Sequence, residues 1–296
     1  MTERVLCVDF GSTFTKAALV DTGSGDLVAT ATHRTTIGTD LMEALDGIRA
    51  RFGAPDVELL ACSSAGGGLR VGVVGHEELV TGEAGRRVAT SSGGWVVHVA
   101  SGPLSDTRGL LAARPDVVLL VGGTDGGNAK VLRANARTLA QARLEIPIVV
   151  AGNRDCRDEI AAMFAETDTP CVVTENVLPE IGVVRPDAAR AAIREMFVRH
   201  VIGGKHLSRR DEFTRIVVGA TPDLVLKGVE LLAESTTGDV AVVDVGGATT
   251  DVHSVTRLDD DSHEVVATLP VSRTVEGDLG LRWNAVGVVE AAVDLG

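Results

Sequence analysis

Two short segments carry residue types suited to phosphate chemistry. They are Asp9-Phe-Gly11-Ser12-Thr13-Phe-Thr15-Lys16 and Asp244-Val-Gly246-Gly247-Ala-Thr249-Thr250-Asp251. In each, an apolar strand ends in an aspartate, a Gly/Ser/Thr turn follows, and a second strand returns. Glycine lets the backbone approach a phosphate closely. Successive turn amides and hydroxyls make an anion-binding nest. The aspartate does not contact phosphate but suits Mg²⁺, held through water because that ion dehydrates reluctantly. Asp, Gly, Ser and Thr are also ordinary turn formers, so one such segment alone reads as a structural turn. Two matched segments, each closing a strand of buried character, read as loops that clamp the β- and γ-phosphates of a nucleoside triphosphate from both sides.

Other patterns point less sharply. Gly122-Gly-Thr-Asp-Gly-Gly127 follows a strand and precedes a helix. It suits an anion at a helix N-terminus and tight strand–turn–helix packing equally well. Ser63-Ser64-Ala-Gly-Gly-Gly68 reads as a flexible connection ahead of a ligand loop. The seven histidines (33, 76, 98, 200, 206, 253 and 263) form no metal-ligand spacing. There is no G-x-S-x-G of a serine hydrolase and no G-x-x-x-x-G-K-[ST] P-loop. Asp251-Val-His253 has the first spacing of a D-x-H-x-x-G cobalamin motif but lacks its glycine.

The elements that must position these residues alternate along the chain. Strands are expected at Val5–Phe10, Lys16–Asp21, Leu27–Thr32, Val57–Cys62, Trp95–Val99, Val117–Val121, Ile146–Ala151, Cys171–Thr174, Ile216–Val218 and Val240–Val245. Helices are expected at Leu41–Phe52, Thr107–Ala113, Val131–Ala142, Asp155–Ala165, Pro186–Val201, Pro222–Ala233 and Leu279–Ala292. Thr221 is a candidate N-cap before Pro222. Near-continuous apolar runs such as DVVLLVGG predict a sheet covered by helices on both faces. The alternation argues an α/β fold. The opening is different: short Gly-containing turns make it two successive hairpins rather than helical crossovers. The pattern returns after Val240 as VAVVDVGGATTDVHSVTRL and EVVATLPVSRT, which suggests a duplicated architecture. Asp259–Asp261 reads as a solvated hairpin turn.

Composition sets the bounds. The 296 residues hold 45% hydrophobic and 23% charged residues, so a disordered chain is excluded. Lys+Arg is 28 against Asp+Glu 41, a net charge of −13; this disfavours nucleic acid and anionic membranes as partners. Aromatics are 3%, with two Trp and no Tyr, too few for an extended base-stacking platform. The four cysteines (7, 62, 156 and 171) lack C-x-x-C spacing and read as small buried hydrophobes in a reducing compartment. The start does not read as a signal peptide and no apolar run spans a bilayer, so a cytoplasmic location is expected.

The paired turns resemble the two phosphate signatures of the actin, heat-shock chaperone and sugar-kinase ATPase superfamily. The helix Pro222–Ala233 looks like its inter-lobe connection. Three further phrases narrow the resemblance: Cys62-Ser-Ser64-Ala-Gly66-Gly67-Gly68-Leu69, Leu120-Val-Gly122-Gly-Thr-Asp125-Gly-Gly-Asn128, and Arg273-Thr-Val-Glu276-Gly-Asp278-Leu-Gly280-Leu-Arg282-Trp283. Over its whole length the chain is similar to the glutamate mutase accessory protein family, called MutL or glutamate mutase L and unrelated to the mismatch-repair protein of similar name. The resemblance implies actin-like (ribonuclease H-like) α/β lobes with an inserted α/β region and an incomplete second lobe. Residues 1–94 with about 207–238 would form the first lobe, 95–206 the insertion, and 239–296 the start of the second. That superfamily's later Gly-rich adenosine motif is not among the residues up to Gly296.

The resemblance further implies ATP or ADP with Mg²⁺ as cofactors and subunits of an adenosylcobalamin-dependent mutase as partners. In that picture slow ATP hydrolysis drives lobe movement that reactivates the mutase. Asp9 and Asp244 would position Mg²⁺ and the attacking water. Gly11, Ser12 and Thr13 would line the first phosphate loop, and Gly246, Gly247, Thr249 and Thr250 the second. Lys16 follows the first turn and by alternation can point either way; Asp251 matches the second motif or only stabilises its hairpin. Two alternatives share the fold: a small-molecule kinase, with Asp125 or Asp278 as available bases, and a non-enzymatic actin-like scaffold.

Overall fold

The computed structural model describes residues 4–53, 57–257, 269–276 and 279–294. The chain opens as a meander of β1 (Arg4–Phe10), β2 (Phe14–Asp21) and β3 (Leu27–Arg34), followed by α1 (Leu41–Phe52) and β4 (Glu58–Ser63). Asp40 caps α1 by accepting from the Met42 amide at 2.9 Å, and Gly53 closes it in the left-handed region. Next come β5 (Leu69–Gly75), α2 (Glu83–Ser91), β6 (Gly94–Ser101), α3 (Arg108–Ala112), β7 (Val117–Leu120), α4 (Lys130–Gln141), β8 (Ile148–Val150), α5 (Arg157–Ala165) and β9 (Cys171–Val173). Then α6 (Asp187–Met196) runs through a π-turn at Phe197–Val201 into α7 (Ile202–Gly204). After α8 (Asp211–Ile216) and β10 (Val217–Ala220), α9 (Thr221–Glu234) leads into β11 (Val240–Val245), β12 (Thr250–Val255), β13 (Val271–Glu276) and α10 (Ala285–Asp294).

Among the described residues these strands form three sheets. The first is mixed, in the order β10-β4-β1-β2-β3; the second, β6-β5-β7-β8-β9, is wholly parallel; the third is the antiparallel meander β11-β12-β13. The fold is therefore α/β with mixed and parallel sheets. The expected opening of two hairpins, a helix and a strand forms as written, with β4 parallel to β1 on the side away from β2.

Burial follows this topology. In β7 and β8 every residue is buried, because helices cover both faces of the parallel sheet. On one face α2 and α6 share a core with Leu6, Val8 and Phe10 of the first sheet. On the other, Leu132 and Leu139 of α4 pack with Ile160 and Phe164 of α5. The expectation of two-sided cover is corrected for the other sheets, whose strands alternate as half-covered strands do. Thus β1 buries Leu6, Val8 and Phe10 but turns Cys7 outward, and β11 turns Val243 and Val245 outward. Only Cys156 among the four cysteines is fully buried; Cys7 and Cys62 lie on half-covered strands and Cys171 on the edge strand β9, so reading all four as buried hydrophobes is corrected.

Some elements differ from the sequence expectation. The strand β5 and the helix α2 were not anticipated: Gly72 and Arg70 interrupt the apolar run of one, and Gly, Ser and Thr dilute the helical pattern of the other. The helix expected from Leu279 begins at Ala285 instead, since 279–284 serves as a docking segment described below. The helix expected over Pro186–Val201 keeps its span but loosens into the π-turn. Asp259–Asp261 and Asp278 lie outside the described residues.

Candidate functional site

Both Gly-led turns fold alike. The Gly11 amide donates to the Phe14 carbonyl at 3.2 Å, and the Gly246 amide donates to the Thr249 carbonyl at 2.8 Å. In each case a Cβ on the glycine would sit within about van der Waals overlap of that same carbonyl, at 2.7 Å and 3.0 Å. The two turns then meet: a Cβ on Gly247 would lie 2.1 Å from Thr13 Oγ1. Residues 234 apart by number are thus brought face to face, and both turns line one cleft of about 1120 Å³.

Backing segments tie the turn carbonyls away. Thr35 donates from its amide to the Thr13 carbonyl at 3.0 Å and from its hydroxyl to the Gly11 carbonyl at 2.8 Å. Across the cleft, the Leu281 amide donates to Gly246 O at 3.0 Å, and the Arg282 and Trp283 amides donate to Gly247 O at 3.0 and 2.8 Å. Asn284 Nδ2 donates to Ala248 O at 2.7 Å. The close pass of Gly280, where a Cβ would meet the Ala248 backbone at 2.3 Å, makes this docking possible. The amides of Ser12, Thr13, Gly247 and Ala248, by contrast, donate to no protein acceptor among the described residues. Thr13 Oγ1 is buried and likewise unpartnered. A buried hydroxyl left without a partner is costly unless a ligand or water satisfies it, and successive turn amides without protein acceptors are available to an anion.

The two aspartates line this cleft. Asp9 accepts from Thr221 Oγ1 at 2.7 Å and, at the length of a sulfur contact, from Cys62 Sγ at 3.6 Å; Lys16 Nζ is 3.7 Å away. Lys16 thus points to the cleft side of its strand, although its side chain is largely exposed. Burial, with the Asp9 charge beside it, pushes the Cys62 thiol up to about 12, so it is a neutral donor. Thr221 is corrected as an N-cap: it is the first residue of α9 and its hydroxyl serves Asp9 rather than the helix. Asp223, in the same turn, pairs with Arg194 of α6 at 2.5 Å and fixes the helix in place. The Asp244 carboxylate has no hydrogen-bond or ion-pair partner among the described residues.

Asp251 and Thr250 of the second motif are engaged in structural contacts. Asp251 accepts from Thr249 Oγ1 at 3.0 Å and pairs with Arg273 at 2.5 Å, both ion-pair residues being buried. Arg273 Nη1 also donates to the carbonyls of Thr90 and Gly94 at 3.1 Å, joining the third sheet to the parallel one. Burial pulls this guanidinium down, while Asp251 opposes that shift. Thr250 spends its hydroxyl on the Leu279 carbonyl at 2.6 Å and stands apart from the cleft, whereas Thr249 lines it.

For Mg²⁺ the donor chemistry fits: two carboxylates at strand ends, Asp9 and Asp244, line one cleft. No group of three His, Cys, Asp or Glu side chains comes together among the described residues, so such an ion would keep waters in its shell.

The Gly122–Asn128 loop resolves toward packing. Asp125 accepts from the Arg154 amide at 3.0 Å and from Asn176 Nδ2 at 2.9 Å, and the Asn128 side chain accepts from the Lys130 amide at 3.0 Å just ahead of α4. Asp125 is thereby absorbed in holding the loop and lies outside the cleft.

A family model described as MutL protein matches residues 5–295. The chain belongs to the MutL protein family. Protein MutL of Clostridium tetanomorphum is 38% identical over 314 residues, an alignment covering 98% of this chain and 67% of that one. Among solved structures, a nucleotide-free acetone carboxylase aligns with TM-score 0.43 and 17% identity, over 94% of this chain and 48% of the other. An ATP-dependent caprolactamase from Pseudomonas jessenii aligns with TM-score 0.40 and 15% identity, over 92% and 47%. Both likenesses are too loose to inform the site. The chain thus spans about two thirds of its MutL relative and under half of these solved chains.

Several cleft residues of this MutL family member escaped sequence reasoning. Ser64 and Gly66–Gly68 line the cleft, although their stretch read as a connection. Trp95 and Trp283 line it too, as does Arg34. The signal that could have found the glycines was their place directly after the strand beside β1.

Proposed function

We propose that this chain binds ATP or ADP with Mg²⁺ between its two hairpin turns. We further propose that it acts as an accessory, reactivating protein for an adenosylcobalamin-dependent mutase of the glutamate mutase type. The observation that carries nucleotide binding is the pair of turns facing one cleft. Their carbonyls are tied back, while the amides of Ser12, Thr13, Gly247 and Ala248 and the hydroxyl of Thr13 are left unpartnered. Such a nest suits the β- and γ-phosphates. Asp9 and Asp244 would hold Mg²⁺ through water, and the ion, when bound, would screen phosphate charge. Lys16 would add a cation at the same edge. The two aspartates would orient an attacking water; the chemistry asked of the protein is positioning and charge stabilisation. Membership of the MutL family, together with the resemblance to glutamate mutase accessory proteins, supports the mutase partner.

The order β3-β2-β1-β4-β10 and the second meander β11-β12-β13 support actin-like lobes. In this reading 1–94 with about 207–238 form the first lobe, 95–206 are inserted and 239–296 begin a second; the parallel sheet takes β5 from the first of these segments. Nucleotide state would then reach the partner through lobe movement. The kinase alternative loses support from Asp125, which is occupied in its own loop.

The test is a calorimetric titration with Mg·ATP and Mg·ADP, beside Asp244→Ala. The wild-type chain is expected to bind both and the variant neither. A wild-type chain that binds no nucleotide would end this reading.

A further inference from the structure

Aromatic side chains are scarce here, and four of the six phenylalanines are fully buried. The two tryptophans do the opposite. Trp95 is 47% exposed and Trp283 55% exposed, and both stand in the wall of the same cleft. Each carries an arginine against its ring: Arg70 lies 5.4 Å from the Trp95 centroid and Arg282 lies 4.6 Å from that of Trp283. A guanidinium attracted to one face of an indole helps to fix the ring's orientation.

The two rings differ in what holds them. Trp95 opens β6 in the parallel sheet, and its arginine is spent on the carbonyls of Ala113 and Arg114. Trp283 is joined to the second turn itself, through its own amide on Gly247 O and that of Arg282 beside it. Its indole therefore starts one hydrogen bond from the phosphate nest. Exposing an indole forgoes a large hydrophobic gain. An indole kept open beside an anion nest matches a ligand that has both an anionic end and a flat aromatic end.

We propose that Trp283, backed by Arg282, is the stacking platform for the nucleobase of the nucleotide held between the turns. This inference rests on the nucleotide reading above. It assigns base recognition to the segment 279–284, which also ties back the carbonyls of the second turn. Occupation of the base site and the shape of the phosphate nest are then set by one short stretch of chain. Stacking on an indole favours any flat base, so this platform would bind purines more tightly than pyrimidines by surface alone.

The experiment separates base from phosphates by titrating the full chain with Mg·ATP and with Mg·tripolyphosphate, which lacks base and ribose. In wild type both bind. Trp283→Leu is expected to weaken Mg·ATP about tenfold and leave Mg·tripolyphosphate unchanged, whereas Trp283→Phe keeps most of the ATP affinity. In a Trp95→Phe background, where Trp283 is the sole indole, Mg·ATP should change the fluorescence and Mg·tripolyphosphate should not. Equal weakening of both ligands by Trp283→Leu would overturn the inference in favour of a purely structural role. Unchanged ATP affinity would overturn it outright. Wild type binding tripolyphosphate but not ATP would also overturn it while sparing the anion nest, and wild type binding neither would remove the nucleotide reading as well.

Discussion

The two hairpin turns are built to the same plan and secured by different means. Both close a strand with Asp and a Gly-led turn, and both bond that glycine to the residue three further on. The residue opposite the aspartate on the returning strand differs. Asp9 faces Lys16, but Asp244 faces Asp251. The first turn thus neutralises its aspartate locally, with Thr221, Cys62 and Lys16 around the carboxylate. The second leaves the Asp244 carboxylate without a hydrogen bond among the described residues and commits its other carboxylate, Asp251, to a buried arginine. Among the described residues the first turn sits in a five-stranded sheet and the second in a three-stranded one that turns Val243 and Val245 outward. One side of the cleft is fixed by its sheet; the other hangs on the Arg273 junction and the docking segment 279–284.

That contrast breaks most sharply at Arg273. Arg273→Met strands Asp251 in a buried site and frees the carbonyls of Thr90 and Gly94. Breaking one partner of a buried pair costs about 3–5 kcal/mol. Denaturant unfolding should show a loss of this size, and Asp251→Leu added to Arg273→Met should recover part of it. A single-variant loss below about 1 kcal/mol would mean that the third sheet does not depend on this junction.

A smaller effect compares the aspartates directly. Asp9→Ala removes the acceptor of Thr221 and Cys62 and should cost about 1–3 kcal/mol of stability. Asp244→Ala removes no hydrogen bond and should stay within about 0.5 kcal/mol of wild type. Both should abolish Mg·ATP binding if the clamp is two-sided. Equal stability losses in thermal unfolding would refute the asymmetry drawn here.

Much of this was legible in the sequence, for identifiable reasons. The strand-end aspartates and Gly-led turns could be read because turn chemistry is local: Gly11 and Gly246 are required by carbonyls three residues away. That the turns face each other was inferred from their match, and the contact of Gly247 with Thr13 is what the fold adds. Thr221 reads locally as a cap, since its partner Asp9 lies 212 residues earlier and no local pattern reports it. Ser64 and the glycines after it were undervalued because only the parallel pairing of β4 with β1 carries them to the cleft. The tryptophans were invisible as site residues, because single exposed aromatics have no period. The segment 279–284 looked like the start of a helix until the carbonyls it satisfies were in view.

The smallest expected effect lies behind the second turn. His253 on β12 is fully buried, opposite Arg273 on β13, and neither ring nitrogen has a hydrogen-bond partner among the described residues. Burial holds its pKa below the ordinary value and the Arg273 charge pushes the same way; Asp251 and Asp244 oppose them more weakly. The imidazole is therefore neutral when folded. A depressed histidine contributes its full stability above its unfolded pKa of about 6.5. That contribution is lost as pH falls through the lower folded pKa, because the unfolded chain takes up the proton first. One proton limits the slope to about 1.4 kcal/mol per pH unit. Unfolding free energies measured between pH 7 and pH 5 should fall for wild type more steeply than for His253→Phe, which keeps the volume of the ring and removes the titration. Parallel pH profiles for the two would show that the third sheet lets water or a proton reach this histidine, and that the junction around Arg273 is looser than the ion pair implies.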